Sequence, residues 1–187
     1  EKMSSVVVLF YRYFLPSPAT ASADGNSVID KATLQFFQKH ASSHYLPQLQ
    51  KHQYDLCHKL AGSGTINGRL LISQEGINGT LSFPTREELK DYKNEMEAFD
   101  LIHDLGVPPT LKNDGDIPEV GRGKIFTGID WKISTIDDHK HGKREPFPDL
   151  KIQTVKEIVN TGGTIHLNDI PNHSGEEISP SEFHQIL

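Results

Sequence analysis

Apolar residues in this chain come in short bursts, and their spacing shifts from two to three or four and back again along its length. Val6-Val7-Val8-Leu9-Phe10-Tyr11-Arg12-Tyr13 is β-branched and aromatic and predicts a first strand. Ser17 to Asn26, rich in Ser, Ala, Pro and Gly, reads as a loop. Ile29 to His40 has helical composition, with Leu34, Phe36 and Phe37 as core candidates. From Leu46 to Leu60 the apolar positions Leu46, Leu49, Leu56, Cys57 and Leu60 follow helical spacing, and Gly62 stops the helix. Ile66–Ser73 and Thr80–Phe83 predict the strands of a hairpin. Its reversal falls in Glu75-Gly76-Ile77-Asn78-Gly79-Thr80, because Gly and Asn tolerate positive φ. Thr85-Arg86-Glu87-Glu88 is a capping-box pattern in which the Thr hydroxyl and the Glu carboxylate serve exposed amides. The helix it opens, near 86–98, presents Leu89, Tyr92, Met96 and Phe99 on one face. Gly106 to Gly123 reads as a long surface loop, and Lys124 to Ile133 as a strand around Phe126, Ile129, Trp131 and Ile133. Asp137 to Arg144 is polar loop, and Leu150 to Val159 a further strand. Ser179, Pro180 and Glu182 mark a last helix start.

The order strand, helix, strand, strand, helix, strand is that of the split βαβ arrangement. The expected fold is therefore α+β: a ferredoxin-like sandwich, its antiparallel sheet carrying two main helices on one face, with an extra strand near residue 152 and long loops. At 187 residues, 35% of them hydrophobic, the chain can bury the core of one domain. The longest apolar run, Val6 to Phe10, is far too short to span a membrane. No secretory signal is visible, though the chain does not begin with Met, so an upstream targeting segment stays open. The single Cys excludes an internal disulfide and suits a reducing, cytoplasmic setting. A net charge of −6 argues against RNA binding over the whole surface. Cations do cluster between Arg122 and Lys156, where Lys143, Arg144, Lys151 and Lys156 are candidate contacts. Asp130, Asp137, Asp138, Glu145 and Asp149 lie among them, and a solvated face is the plainer reading.

The segment Gly68–Ser82, GRLLISQEGINGTLS, resembles the signature of the rhodanese-related tRNA uridine hydroxylases, in the domain that precedes their rhodanese domain. Val6–Tyr13 resembles that family's opening strand. Pro146-Phe147-Pro148-Asp149-Leu150-Lys151-Ile152, followed by Lys156-Glu157-Ile158-Val159, resembles a later block. Ile178-Ser179-Pro180-Ser181-Glu182-Phe183 resembles the lead-in to the rhodanese domain. Residues 15–44 and 107–143 depart from the pattern in being longer and more polar. The resemblance implies an acylphosphatase-like domain over 1–178, with 179–187 starting a linker helix to a rhodanese domain that this chain lacks. It also implies that the whole protein hydroxylates a uridine at carbon 5 in the tRNA anticodon loop, with the catalytic Cys in the rhodanese domain. This domain then holds tRNA weakly or supports its neighbour. The alternative is a non-catalytic interaction or scaffold module of a sulfurtransferase-related protein, which the polar insertions favour.

The candidate chemistry is sparse. Cys57 could serve as a nucleophile, but its place in the apolar helical pattern makes it a core residue. Asp137, Asp138, His139 and His141 sit in one loop without the second anchor that zinc sites use, so no metal is expected, and no cofactor either. Ser43, His44 and Asp55 form no recognisable triad. Acyl phosphate cleavage needs an arginine and a cradle of amides after the first strand. Here Arg12 lies inside the strand, and Leu15-Pro16-Ser17-Pro18 follows it, where proline offers no amide donor. No catalytic residue is expected. The remaining candidates are Glu75, Gly76, Asn78 and Gly79, as a turn that meets RNA or the neighbouring domain; glycine-turn amides can bind phosphate. The plainer reading is a tight hairpin set by backbone angles and the packing of Ile77.

Overall fold

The computed structural model describes residues 5–14, 31–62, 64–107, 123–135, 146–164 and 181, 182 and 185. Strands β1 (Val6–Tyr13), β2 (Asn67–Ser73), β3 (Gly76–Phe83), β4 (Asp130–Thr135) and β5 (Leu150–Thr154) form one sheet in the order β4-β1-β3-β2-β5. Neighbours run antiparallel except β2 and β5, which are parallel. The first four strands thus take the split βαβ order expected from the sequence, and β5 is the added strand at one edge. Helices α1 (Lys31–His40), α2 (Leu46–Leu60), α3 (Arg86–Ala98) and the short α4 (Leu101–Leu105), with a π-helical turn between α1 and α2, complete the described elements.

Alternation along β1 explains its central place. Val6, Val8 and Phe10 are buried toward the helices, while Leu9 and Tyr11 point the other way into solvent. Phe10 meets Tyr92 of α3 and Trp131 of β4, with ring centroids 6.3 and 4.6 Å apart. From α2, Leu46, Leu49, Leu56 and Cys57 are buried, as the helical spacing predicts. Gln53 joins them, fully buried, which the apolar pattern did not anticipate. Its burial is tolerated because its amide is satisfied: the Tyr92 hydroxyl donates to Gln53 Oε1 at 2.7 Å, and Gln53 Nε2 donates to Met96 Sδ at 3.2 Å. This bridge ties α2 to α3 above the sheet.

At the start of α3, the Thr85 hydroxyl accepts from the amides of Glu87 and Glu88 at 3.2 and 3.5 Å. The Glu88 carboxylate accepts a bond from that same hydroxyl instead of reaching a backbone amide, so the capping box closes side chain to side chain. The outer edge of the sheet is also closed. The Ile152 amide donates to the Tyr54 hydroxyl at 3.1 Å, and Gln50 Nε2 donates to the Ile152 carbonyl at 2.7 Å, which removes an edge that another strand could pair with.

Three expectations shift. The fourth strand does not begin near residue 124: Ile125 to Gly128 form turns, and pairing starts at Asp130. Ile125 and Phe126 are buried as a plug instead, with Phe126 stacked against Phe99 and Phe14, because their apolar area is worth more in the core than in an exposed ladder. The strand at Leu150 ends at Thr154, short of Val159. Part of the 15–44 segment that looked like a polar insertion is core-forming: Leu34, Phe36 and Phe37 of α1 are buried, and a π-helical turn, Ala41–Tyr45, feeds the chain into α2. The predicted loops at 17–26 and 137–144, most of that at 106–123, and Lys143 and Arg144 lie outside the described residues. Ser181, Glu182 and Gln185 are helical.

Cys57 is 1% exposed, and burial pushes its thiol from 9.0 up to about 12. Burial likewise raises Tyr45 to about 12 and Tyr92 well above its ordinary range. These groups are neutral in the folded state and ionise more readily when unfolded. Their contribution is therefore fully present below pH 9.0 and falls away as pH rises toward 12. We expect urea unfolding to show stability declining above pH 9.0, with a shallower decline in Cys57→Ala. At neutral pH that substitution costs roughly 1 kcal/mol. Native-state alkylation of Cys57 at the rate of a free thiol would contradict its burial.

Candidate nucleic-acid interface

The β2–β3 reversal is tighter than the sequence suggested. β2 ends at Ser73 and β3 begins at Gly76, so Gln74 and Glu75 alone form the turn. Gly76, Asn78 and Gly79 are strand residues, not turn residues, and neither glycine has a positive φ. They are small for another reason. A Cβ on Gly79 would lie 2.6 Å from both Phe10 Cζ and Leu70 Cδ1, and one on Gly76 would lie 2.2 Å from the Arg12 carbonyl oxygen. Close approach of neighbouring side chains and backbone, not turn geometry, dictates both.

Glu75 and Asn78 face inward on a chain segment. Glu75 Oε1 accepts from the Ile158 amide at 2.6 Å, and Asn78 Nδ2 donates to the Ile158 carbonyl at 2.9 Å. Together they take both backbone polar groups of Ile158, while its side chain is buried beside Gly76. The Glu75 carbonyl in turn accepts from Phe14 at 2.8 Å, and Val155 donates to Ile72 at 2.9 Å. The signature segment is thus a clasp: it holds the irregular segment after β5 against the end of β1 and the hairpin. Near it, Tyr13 has its hydroxyl pKa raised, first by desolvation and then by the charges of Glu75, Tyr11 and Glu157.

Of the basic candidates, Lys151 stands exposed on β5 and Lys156 exposed just beyond it, while Lys143 and Arg144 lie outside the described residues. Sequence reasoning passed over Arg69, which bonds Asp149 through its side chain at 2.6 Å and its carbonyl at 2.9 Å. It also passed over the exposure of Tyr11; the alternation of Leu9, Tyr11 and Tyr13 with buried partners was the available signal. A shallow groove of about 280 Å³ between α3 and β4 is lined by Arg86, Leu89, Lys90, Lys93, Glu97 and Ile133, with no thiol or histidine among its lining residues. Arg12 donates weakly to the Gly128 carbonyl at 3.4 Å, and desolvation lowers its pKa. Among the described residues no cluster of His, Cys, Asp and Glu could hold a metal; Asp137, Asp138, His139 and His141 lie outside them. Among them, too, no helix is long and apolar enough to cross a membrane.

A split βαβ sandwich with one thiol sealed in its core and a fifth strand at one edge is an acylphosphatase-like domain. The chain belongs to the UPF0176 acylphosphatase like domain family, which matches residues 32–158, more than half its length. It is similar to proteins named tRNA uridine(34) hydroxylase. The relative in Onion yellows phytoplasma (strain OY-M) is 29% identical over 120 residues, covering 64% of this chain and 29% of the relative. The one in Acholeplasma laidlawii (strain PG-8A) is 29% identical over 122 residues, covering 64% and 28%. The one in Jannaschia sp. (strain CCS1) is 27% identical over 128 residues, covering 68% and 31%. The chain thus spans about three tenths of the length of these curated relatives.

If Glu75 and Asn78 form a clasp, Glu75→Ala with Asn78→Ala will free the segment around Ile158. Amide exchange at Ile158 is expected to accelerate, with a stability loss of about 1–3 kcal/mol. Glu75→Gln, which keeps an acceptor oxygen, should retain most of the protection. Unchanged exchange in the double variant would show that the clasp does not hold the segment.

Proposed function

We propose that this chain is the accessory amino-terminal domain of a rhodanese-related tRNA uridine hydroxylase, and that it positions tRNA for 5-hydroxylation of a uridine by a neighbouring rhodanese domain. The observation that carries the non-catalytic part is the burial of Cys57: a thiol held near pH 12 and closed to solvent is not a nucleophile at neutral pH. The family and the names of the three relatives support the tRNA part. A positioning domain acts through proximity, raising the effective concentration of the target base at a reactive group that it does not itself supply. The single thiol fits a cytoplasmic, reducing setting. The second reading, a scaffold module in a sulfurtransferase-related protein, draws on the exposed Leu9 and Tyr11, which a protein neighbour could also cover.

The two are separated by expressing the full reading frame that encodes this chain in a strain lacking its own hydroxylase. Mass spectrometry of the tRNA should show hydroxylated uridine restored by the full frame and not by this chain alone. Purified, the chain should show no turnover with tRNA and oxygen, with thiosulfate and cyanide, or with an acyl phosphate. Its tRNA binding should be weak and fade with salt, and weaken further when Lys143, Arg144 and Lys151 are replaced together. Restored growth without any hydroxylated uridine would favour the scaffold, and turnover by the chain that survives Cys57→Ala would reveal a missed active site.

A further inference from the structure

We propose that the sheet face opposite α2 and α3 binds a short single-stranded stretch of RNA, phosphates along one cross-strand row and bases over the next. This rests on the tRNA reading above and names the surface that does the holding. Residues directly opposite each other in neighbouring strands point to the same face. The register therefore aligns Lys132, Leu9, Thr80, Arg69 and Lys151 in one row across all five strands. The adjacent row is Asp130, Tyr11, Asn78, Leu71 and Gln153. Both lie on the face turned away from Val8, Phe10, Leu70, Leu81 and Ile152, which are buried beneath the helices.

The first row places a cation at each end and another between. With strands about 4.8 Å apart, the row spans about 19 Å. Three cations face one carboxylate across the two rows, in a chain whose net charge is −6. The carboxylate, Asp130, pairs with Lys132 at 2.6 Å, but both side chains are about two-thirds exposed, and such a pair yields readily to a competing phosphate. Arg69 is anchored by Asp149 and so held in place. Lys151 makes no ion pair among the described residues.

The stacking surface lies on β1, where Leu9 of the first row adjoins Tyr11 of the second. Tyr11 is 59% exposed and Leu9 47% exposed, both on a central strand where folding alone gains little from them. The Tyr11 ring stands edge-on to Tyr13, centroids 6.5 Å apart. Four-stranded sheets that read RNA stack two or three bases on such aromatics, and hydroxyl and amide groups, here the partly exposed Thr80 and the exposed Gln153, can meet ribose or base edges. Lysines at both ends of the first row, with Arg69 between, complement a polyanion better than a protein partner, since protein interfaces deplete lysine. The α3–β4 groove also carries cations, but its aromatic neighbour, Trp131, is half-buried and covered by Lys93 at 5.7 Å. The clasp at Ile158 closes the face at the hairpin end and engages Asn78 of the second row, leaving the first row and Tyr11 exposed to a ligand.

Fluorescence anisotropy with a labelled anticodon stem–loop RNA, an oligouridine and a duplex of matched length tests this on the chain and on the full reading frame. Tyr11→Ala should weaken stem–loop binding roughly 5- to 150-fold, with Tyr11→Phe near wild type. Lys132→Gln and Lys151→Gln should each lower the slope of log affinity against log salt by about 0.7. The duplex should bind more weakly than the single strand. Tyr11→Ala with unchanged affinity and an unchanged circular dichroism spectrum overturns the surface and leaves the accessory reading standing. If neither protein binds RNA, both fall. If Tyr11→Ala does not fold, the two lysine variants decide: unaltered salt slopes in both overturn the proposal. If Tyr11→Ala keeps RNA affinity but detaches a neighbouring domain in limited proteolysis of the full protein, the face is a protein interface and the proposal is wrong.

Discussion

Phe10 occupies the space that any side chain at position 79 would need, and the rest of the fold is arranged around that contact. Because Gly79 has no Cβ, the ring of Phe10 can lie against β3 and still reach Tyr92 and Trp131. Tyr92 then meets Phe83 on one side and Gln53 on the other, which sets the height of α3 and ties α2 to it. With Phe10 turned to the helices, the period of two turns Leu9 and Tyr11 to the other face. One close approach thus fixes both the core and the orientation of the open surface.

The clasp depends on the same economy of space. Gly76 leaves room for the Arg12 carbonyl and for Ile158, and Glu75 and Asn78 satisfy the peptide groups that burial of Ile158 takes from water. A motif that reads as a ligand-binding turn is in this way consumed by the structure. Side chains left exposed stand at alternate positions of β1 and β5.

That separation suits the positioning role proposed above. Its thiol is sealed in the core, its buried Gln53 is paired across two helices, and the β5 edge of its sheet is closed by α2. A rigid platform with a charged and aromatic face can orient a flexible loop at little conformational cost, whereas a reactive group placed there would have to be activated without burial.

Much of this was legible in the chain itself. The strand at Val6–Tyr13, the helix at Leu46–Leu60, the Thr85 cap and the split βαβ order follow from local periodicity and capping chemistry, which need no distant partner. The burial of Cys57 follows from its place in a helical stripe. Tertiary structure alone decided the rest. Ile125 and Phe126 look like strand residues until the cavity beside Phe14 and Phe99 exists to receive them. Gln53 looks like a surface residue until Tyr92 stands opposite. Gly76 and Asn78 look like a turn until Ile158, some eighty residues further on, is brought against them. The alignment of Lys132, Arg69 and Lys151 in one row is set by strand register, and register arises only when residues far apart in sequence pair across the sheet.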